Sequence, residues 1–270
     1  MSILFFVIFF VVVLLLILFM GGKSPDGPAY VPEKLSGNRP FSEQNKIKEN
    51  QKNYDDLIAW NPFNMNDFLN VHPGEANLGP YGEFLTFKKV VAACKCHRDY
   101  FKILNNVYLP SKNGTTEVDC VLIHETGIYV LESKNVGGKI YGSYKQKNWT
   151  QILEHSARSQ FYNPVWQNEG HIAALKSILG SEYNYFSYVV FSERCVLAEV
   201  PEDSPVVVIL RRQNLESALV GNFTRNHSLS IAQVDSLYAK LSPFADVSEG
   251  VKKEHIRQVK KMNETDDLPF

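Results

Sequence analysis

The sequence predicts an α/β domain set behind one apolar N-terminal helix. Two observations predict it. An unbroken apolar run opens the chain. Segments of helical and strand periodicity then follow in the order helix, strands, helix, strands, helices, the alternation of a layered α/β fold. A length of 270 residues, 44% of them hydrophobic, suffices for one large core.

From Ile3 to Met20 no side chain is polar or charged. Roughly 18 to 20 apolar residues in a helix cross a hydrocarbon layer about 30 Å thick. The competing reading, a cleaved signal peptide, calls for a basic stretch first, a shorter apolar core and small residues at a cleavage site. No Lys or Arg precedes this run, which continues as Gly21-Gly22-Lys23-Ser24-Pro25 with no lipobox-type cysteine. An uncleaved transmembrane anchor over residues 1–22 is the favoured reading. Lys23, Lys34 and Arg39 follow it, so the positive-inside rule puts the rest of a single-pass cell-membrane protein on the cytoplasmic side.

Residues 23–80 read as a juxtamembrane linker. Pro25, Pro28, Pro32 and Pro40 interrupt it, and polar residues dominate 42–56. A short helix over 41–60 is compatible with the sequence but shows little apolar periodicity.

The domain is expected over 81–245. Phe84, Phe87, Val90, Val91 and Cys94 recur at helical spacing, so 82–96 is a helix. Residues 100–109 form a strand, and Ser111-Lys112-Asn113-Gly114 is turn chemistry. Segments 117–124 and 128–135 are strands of a hairpin around Glu125-Thr126-Gly127, and 139–144 is a further strand after Gly137-Gly138. Asn163-Pro164 starts a helix, with Asn as N-cap and Pro in the first turn, and Gly180 ends it. Strands at 185–192 and 206–210 and helices at 215–220 and 231–241 complete the domain. The charged tail, 246–270, is helical or disordered. Four scattered cysteines, Cys94, Cys96, Cys120 and Cys195, make no disulfide framework.

The hairpin carries the chemistry. Side chains alternate along a strand, so Glu132 and Lys134 share a face. If Ile123 pairs with Ile128, Asp119 falls opposite Glu132, with Cβ atoms about 5 Å apart. Two carboxylates at that separation repel unless a cation lies between them, and Mg²⁺ or Mn²⁺ takes such oxygen ligands. A metal there activates water and offsets charge on a phosphate, and Lys134 stands ready to orient that water and stabilise the transition state. The competing reading is a surface hairpin with a cross-strand salt bridge. Against it, both strands carry Val, Ile, Leu and Tyr on both faces, as in a buried sheet, where unpaired charge is costly.

The run TEVDCVLIHETGIYVLESKN, with Gly82-Glu83 upstream and Asn163-Pro164-Val165-Trp166-Gln167 downstream, resembles the nuclease-related domain (NERD). The resemblance covers roughly 82–179 and weakens toward 241. It implies a restriction-endonuclease-like mixed sheet flanked by helices, in which an Asp is paired with an (Asp/Glu)-x-Lys motif. Asp119, Glu132 and Lys134 match those three positions, Glu83 matches the acid of the first helix, and Gln167 matches the glutamine after Asn-Pro. It implies a nucleic-acid substrate and a divalent metal held by Asp119 and Glu132.

Each outlying residue has a plainer reading. An acid in the first turn of a helix, such as Glu83, is favoured by the macrodipole alone. Gln167 and His171 lie four apart on one helix face, able to reach the Lys134 region or simply to form a polar patch. Trp149 and Trp166 can stack on bases or fill a core. The whole chain has a net charge of −1, but 81–180 holds twelve Lys and Arg against eight Asp and Glu. Lys134, Lys139, Lys145 and Lys147 would then meet phosphates or merely protect a sheet edge.

The expectation is a membrane-tethered, Mg²⁺- or Mn²⁺-dependent hydrolase of DNA or RNA phosphodiesters. The alternative is a catalytically silent nuclease-fold module that binds nucleic acid or a protein partner at the membrane, and a third reading is a membrane-assembly scaffold.

Overall fold

In a computed structural model of the chain, residues 39–59, 78–111, 114–153, 157–245 and 247–266 are described. The apolar run 3–20 and most of the expected linker lie outside the described residues. Among the described residues no helix is long and apolar enough to cross a membrane.

The elements are α1 (Phe41–Ala59), α2 (Leu78–Cys96), β1 (Phe101–Ser111), β2 (Gly114–His124), β3 (Gly127–Lys134), β4 (Gly138–Tyr141), β5 (Asn148–Ile152) and β6 (Arg158–Tyr162). They continue as α3 (Pro164–Leu179), β7 (Tyr185–Phe191), β8 (Cys195–Glu199), β9 (Val207–Arg211), α4 (Leu215–Phe223), α5 (Ile231–Ala245) and α6 (Glu249–Asp266). A five-stranded mixed sheet runs β1-β2-β3-β7-β9 and a four-stranded mixed sheet runs β6-β5-β4-β8.

Helices cover both faces of the larger sheet. Leu175 and Leu179 of α3 and Val234, Leu237 and Leu241 of α5 pack on one face against Val121, Ile123, Ile128 and Val130. Val90, Val91 and Cys94 of α2 and Leu215, Leu219 and Phe223 of α4 pack on the other against Leu122, Tyr129 and Leu131. Burial on both sides explains why these strands read as near-continuous apolar runs.

Helix α1 occupies 41–59, the stretch of the expected linker over which a short helix is compatible with the sequence. Its inner stripe is Ile47, Asn50 and Tyr54, spaced at three and four, and all three are buried. The Asn50 amide donates to Phe101 O at 2.8 Å, and Ile103 N donates to Tyr54 Oη at 2.7 Å. These polar tips satisfy backbone groups of β1, an edge strand that would otherwise be open to pairing. A stripe with one amide in three escapes a search for apolar periodicity. The compact unit accordingly begins at Asn38 and takes in the tail helix α6.

Two departures from regular pairing shape the molecule. Strands β3 and β7 run parallel as far as Lys134 and Phe191, and both then bend. They continue as β4 and β8, the parallel pair of the smaller sheet, with Ser192 N donating to Lys134 O at 2.9 Å across the bend. Glu132 and Lys134 therefore sit at the crease between the sheets. Secondly, the β1–β2 ladder omits Asn106 and Asp119, which would pair, and Asn106 has φ +53°. Beyond them the strands change face: Leu104 and Val107 join the same core cluster although they differ in parity, as do Val118 and Val121. Asp119 occupies this twist.

Strands β5, β6 and β8 have no clear signal in the sequence. They are short, and β6 and β8 are largely exposed, so burial imposes little alternation on them.

Candidate active site

The β2–β3 register has Ile123 opposite Ile128 and Cys120 opposite Leu131. The ladder ends there, one step before Asp119 and Glu132. Instead of a cross-strand pair at that step, Asp119 Oδ2 accepts a hydrogen bond from Ser133 N at 2.7 Å. The Asp119 carboxylate thus rests against the backbone of the Glu132-Ser133-Lys134 tripeptide.

Glu132 is 2% exposed and both of its oxygens are engaged. Lys134 Nζ lies 2.7 Å from Oε1, and His171 Nε2 lies 3.0 Å from Oε2. The Lys134 ammonium also donates to Gln167 Oε1 at 2.9 Å, and His171 Nδ1 lies 2.9 Å from Thr116 Oγ1. Gln167 and His171 are one turn apart on α3, so this helix grips both charged groups of the motif. The position of α3 follows from its start. Asn163 Oδ1 accepts from Val165 N at 3.0 Å and Trp166 N at 3.4 Å, while its amide donates to Ser143 O and Gln146 O.

Glu83 arrives from α2 on the opposite face of the sheet. The residue before it, Gly82, allows that approach, since a Cβ there would come within 2.5 Å of Asn135 Cβ. Gly82 O accepts from Arg212 Nη1 at 2.8 Å and from Thr86 Oγ1 at 3.0 Å, and Thr86 in turn meets Ser133 Oγ at 3.0 Å. Helix α2 is in this way tied to the crease.

The electrostatics divide the acids. Burial, then the charges of Glu132 and Glu83, hold the Asp119 carboxyl well above the usual carboxylate range. Burial, with Glu117 and Glu132 nearby, pushes Glu83 up to about 7. Burial alone would raise Glu132 as well, but the Lys134 ammonium and the His171 hydrogen bond outweigh it and keep it low. Burial opposes the charge on Lys134, yet Glu132 and Asp119 keep it protonated. The site thus holds an ion pair of Glu132 and Lys134 beside an Asp119 whose carboxyl is harder to ionise than usual.

This donor set suits a hard divalent cation. Asp119 Oδ1 has no hydrogen-bond partner among the described residues, and Glu132 Oε1 is shared with Lys134 alone. Mg²⁺ needs no more than one or two carboxylates and keeps several waters.

The five residues named from the sequence therefore converge, and the link between them that sequence reasoning left open is His171. Its spacing of four from Gln167 was the available signal. Trp149 is fully buried beside Phe191 and belongs to the core. Trp166 is partly exposed, and Lys139, Lys145 and Lys147 are exposed on the smaller sheet and its turn.

A second charged cluster lies near the β2–β3 turn, where ligand atoms of Asp99, Glu125 and His227 fall within 4.8 Å of one another. Arg39 already bridges the acids there, at 3.2 Å from Asp99 and 2.8 Å from Glu125. With its charge met, this cluster is a clasp joining the start of α1 to the hairpin.

A family profile described as the nuclease-related domain matches residues 79–192. An uncharacterized protein of Bacillus anthracis is 30% identical over 158 residues, which cover 58% of this chain and 73% of that protein. No solved structure matches the chain significantly.

Proposed function

The chain belongs to the nuclease-related domain family, and from that membership we propose a membrane-tethered, Mg²⁺- or Mn²⁺-dependent hydrolase of nucleic-acid phosphodiesters with a restriction-endonuclease-like core. The observation that carries this reading is the 2.7 Å bond from Ser133 N to Asp119 Oδ2. It brings the third member of the motif against the buried Glu132–Lys134 pair.

Asp119 and Glu132 hold the metal, which when bound supplies an activated water and a counter-charge for the phosphate. Lys134, oriented by Gln167 Oε1, aligns the water and stabilises charge growing on the phosphoryl oxygens. Glu83, with its raised pKa, accepts or returns a proton near neutral pH. Gln167 positions both the ammonium and the substrate. DNA and RNA are both candidate substrates.

The apolar run 3–20 acts as the tether, with the catalytic unit in the cytoplasm. The proposed boundaries are an anchor over 1–22, a juxtamembrane segment over 23–80 that includes α1, the nuclease-related domain over 81–245 and a charged tail over 246–270.

The test is cleavage of labelled single-stranded and duplex DNA and RNA by the full chain in detergent, with Mg²⁺, Mn²⁺ or EDTA. Metal-dependent cutting that disappears in Glu132→Gln and Lys134→Ala supports the proposal. Metal-independent binding without cutting favours the silent-module alternative, for which the double engagement of Glu132 in the present geometry is the specific argument. Alkaline extraction of membranes tests the tether, which requires the protein to stay in the lipid fraction.

A further inference from the structure

The start of α3 carries a feature that the hydrolytic site does not use. Trp166, one residue before Gln167, is partly exposed, and Tyr162 and Tyr144 beside it are 46% and 40% exposed. Tyr162 and Trp166 have ring centroids 6.3 Å apart at 68°. The Trp166 indole N–H donates to Tyr144 O at 2.8 Å, so its polar edge is satisfied. The Tyr144 hydroxyl donates to Glu202 O at 3.1 Å.

Hydrogen bonds hold the Tyr144 turn and the Trp166 ring in place. The turn bearing Tyr144 is pinned by Asn163, whose amide donates to Ser143 O and Gln146 O and whose N–H donates to Lys147 O. The buried Trp149 adds a bond from its indole N–H to Ser143 O at 3.2 Å. Side chains fixed in this way lose little entropy on binding.

We propose that Tyr144, Tyr162 and Trp166 form a stacking platform for unpaired bases, so that the site engages single-stranded nucleic acid or frayed ends in preference to duplex. This deepens the hydrolase reading and rests on it for the location of the scissile phosphate. An exposed aromatic face gains by stacking on a base, and every base offers such a face, so the platform is indifferent to sequence. In a duplex the base faces are covered by their neighbours.

Charge nearby is mixed. Exposed Lys145 and Lys147 lie on the turn and Arg158 on the edge strand β6, while Glu169 follows on α3. Asp203 is engaged by Ile209 N at 2.7 Å. Exposed Glu202 also lies beside Tyr144, so few phosphates are neutralised here and binding depends on salt only shallowly, at a slope of about −0.7 per phosphate for single strands.

The experiment measures anisotropy of a labelled dT12, a U12 and a 20-base-pair duplex with the full chain in detergent and EDTA, where nothing is cut. Wild type is expected to bind both single strands more tightly than duplex. Tyr162→Ala and Trp166→Ala each weaken single-strand binding by about 5- to 100-fold, while Trp166→Phe, which keeps a stacking face, stays near wild type. Oligo-dT also quenches tryptophan emission in the wild type but not in Trp166→Phe. Unchanged affinity in folded alanine variants, or a preference for duplex, overturns the proposal. Cutting of the same strands by the wild type in Mg²⁺ is read separately, so an absence of cutting speaks to the hydrolase reading and a loss of binding in the aromatic variants to this one.

Discussion

His171 Nε2 lies 3.0 Å from Glu132 Oε2, with both side chains almost wholly buried. The contact leaves Glu132 Oε1 to Lys134 and orients the carboxylate from behind, as outer partners orient metal-binding groups generally. His171→Ala is expected to weaken Mn²⁺ binding about 10- to 100-fold, measured by calorimetry. His171→Gln, which keeps a donor in reach, recovers part of it.

Glu132 also neutralises Lys134 in the crease. Glu132→Ala is expected to lower stability by about 3 kcal/mol, since it leaves a largely buried ammonium without its partner. Chemical denaturation measures the loss, and the double variant Glu132→Ala/Lys134→Met should recover much of it.

The protons on Asp119 and Glu83 compete with metal. Both groups have raised pKa values, Glu83 at about 7; a cation held by Asp119 requires its ionised form and, through its charge, favours ionisation of Glu83 nearby. Mn²⁺ affinity should therefore rise as pH increases through 7, with protons released on binding. Calorimetry in buffers of different ionisation enthalpy counts them. Flat affinity between pH 6 and 8 would contradict the proton load described here.

His124 predicts acid sensitivity. It is fully buried and stacked on Phe223, and burial, against the opposing pull of Asp99, lowers its pKa to about 3. A His with a depressed pKa binds its proton more readily in the unfolded chain. Its neutral form contributes stability that is complete above about pH 6.5 and is lost as pH falls toward 3, by about 1.4 kcal/mol per unit. His124→Phe should flatten the melting temperature across that window.

Gly82 admits no side chain where α2 meets the crease. Gly82→Ala is expected to cost about 1–3 kcal/mol through overlap with Asn135 and to displace Glu83. A thermal melt reads the first effect, and the pH profile of Mn²⁺ binding reads the second.

A chain beginning at residue 60 should aggregate, because it lacks α1 and opens the β1 edge. Light scattering beside a chain beginning at residue 39 checks this. One residue explains why α1 shows so little apolar periodicity in the sequence. Asn50 on the inner stripe hides α1 from any count of apolar spacing, yet its amide is what binds the edge strand.

By itself the sequence determined the hairpin register, the shared face of Glu132 and Lys134, and the Asn163 cap that starts α3. Each depends on residues within one or two elements, where strand alternation, a short turn and a capping side chain act locally. The tertiary structure alone decided that the ladder stops short of Asp119, that His171 reaches Glu132, and that β3 and β7 bend together into a second sheet. Those outcomes follow from a left-handed Asn106 and from contacts between segments tens of residues apart. Packing selects such contacts, and no local period in the chain records them.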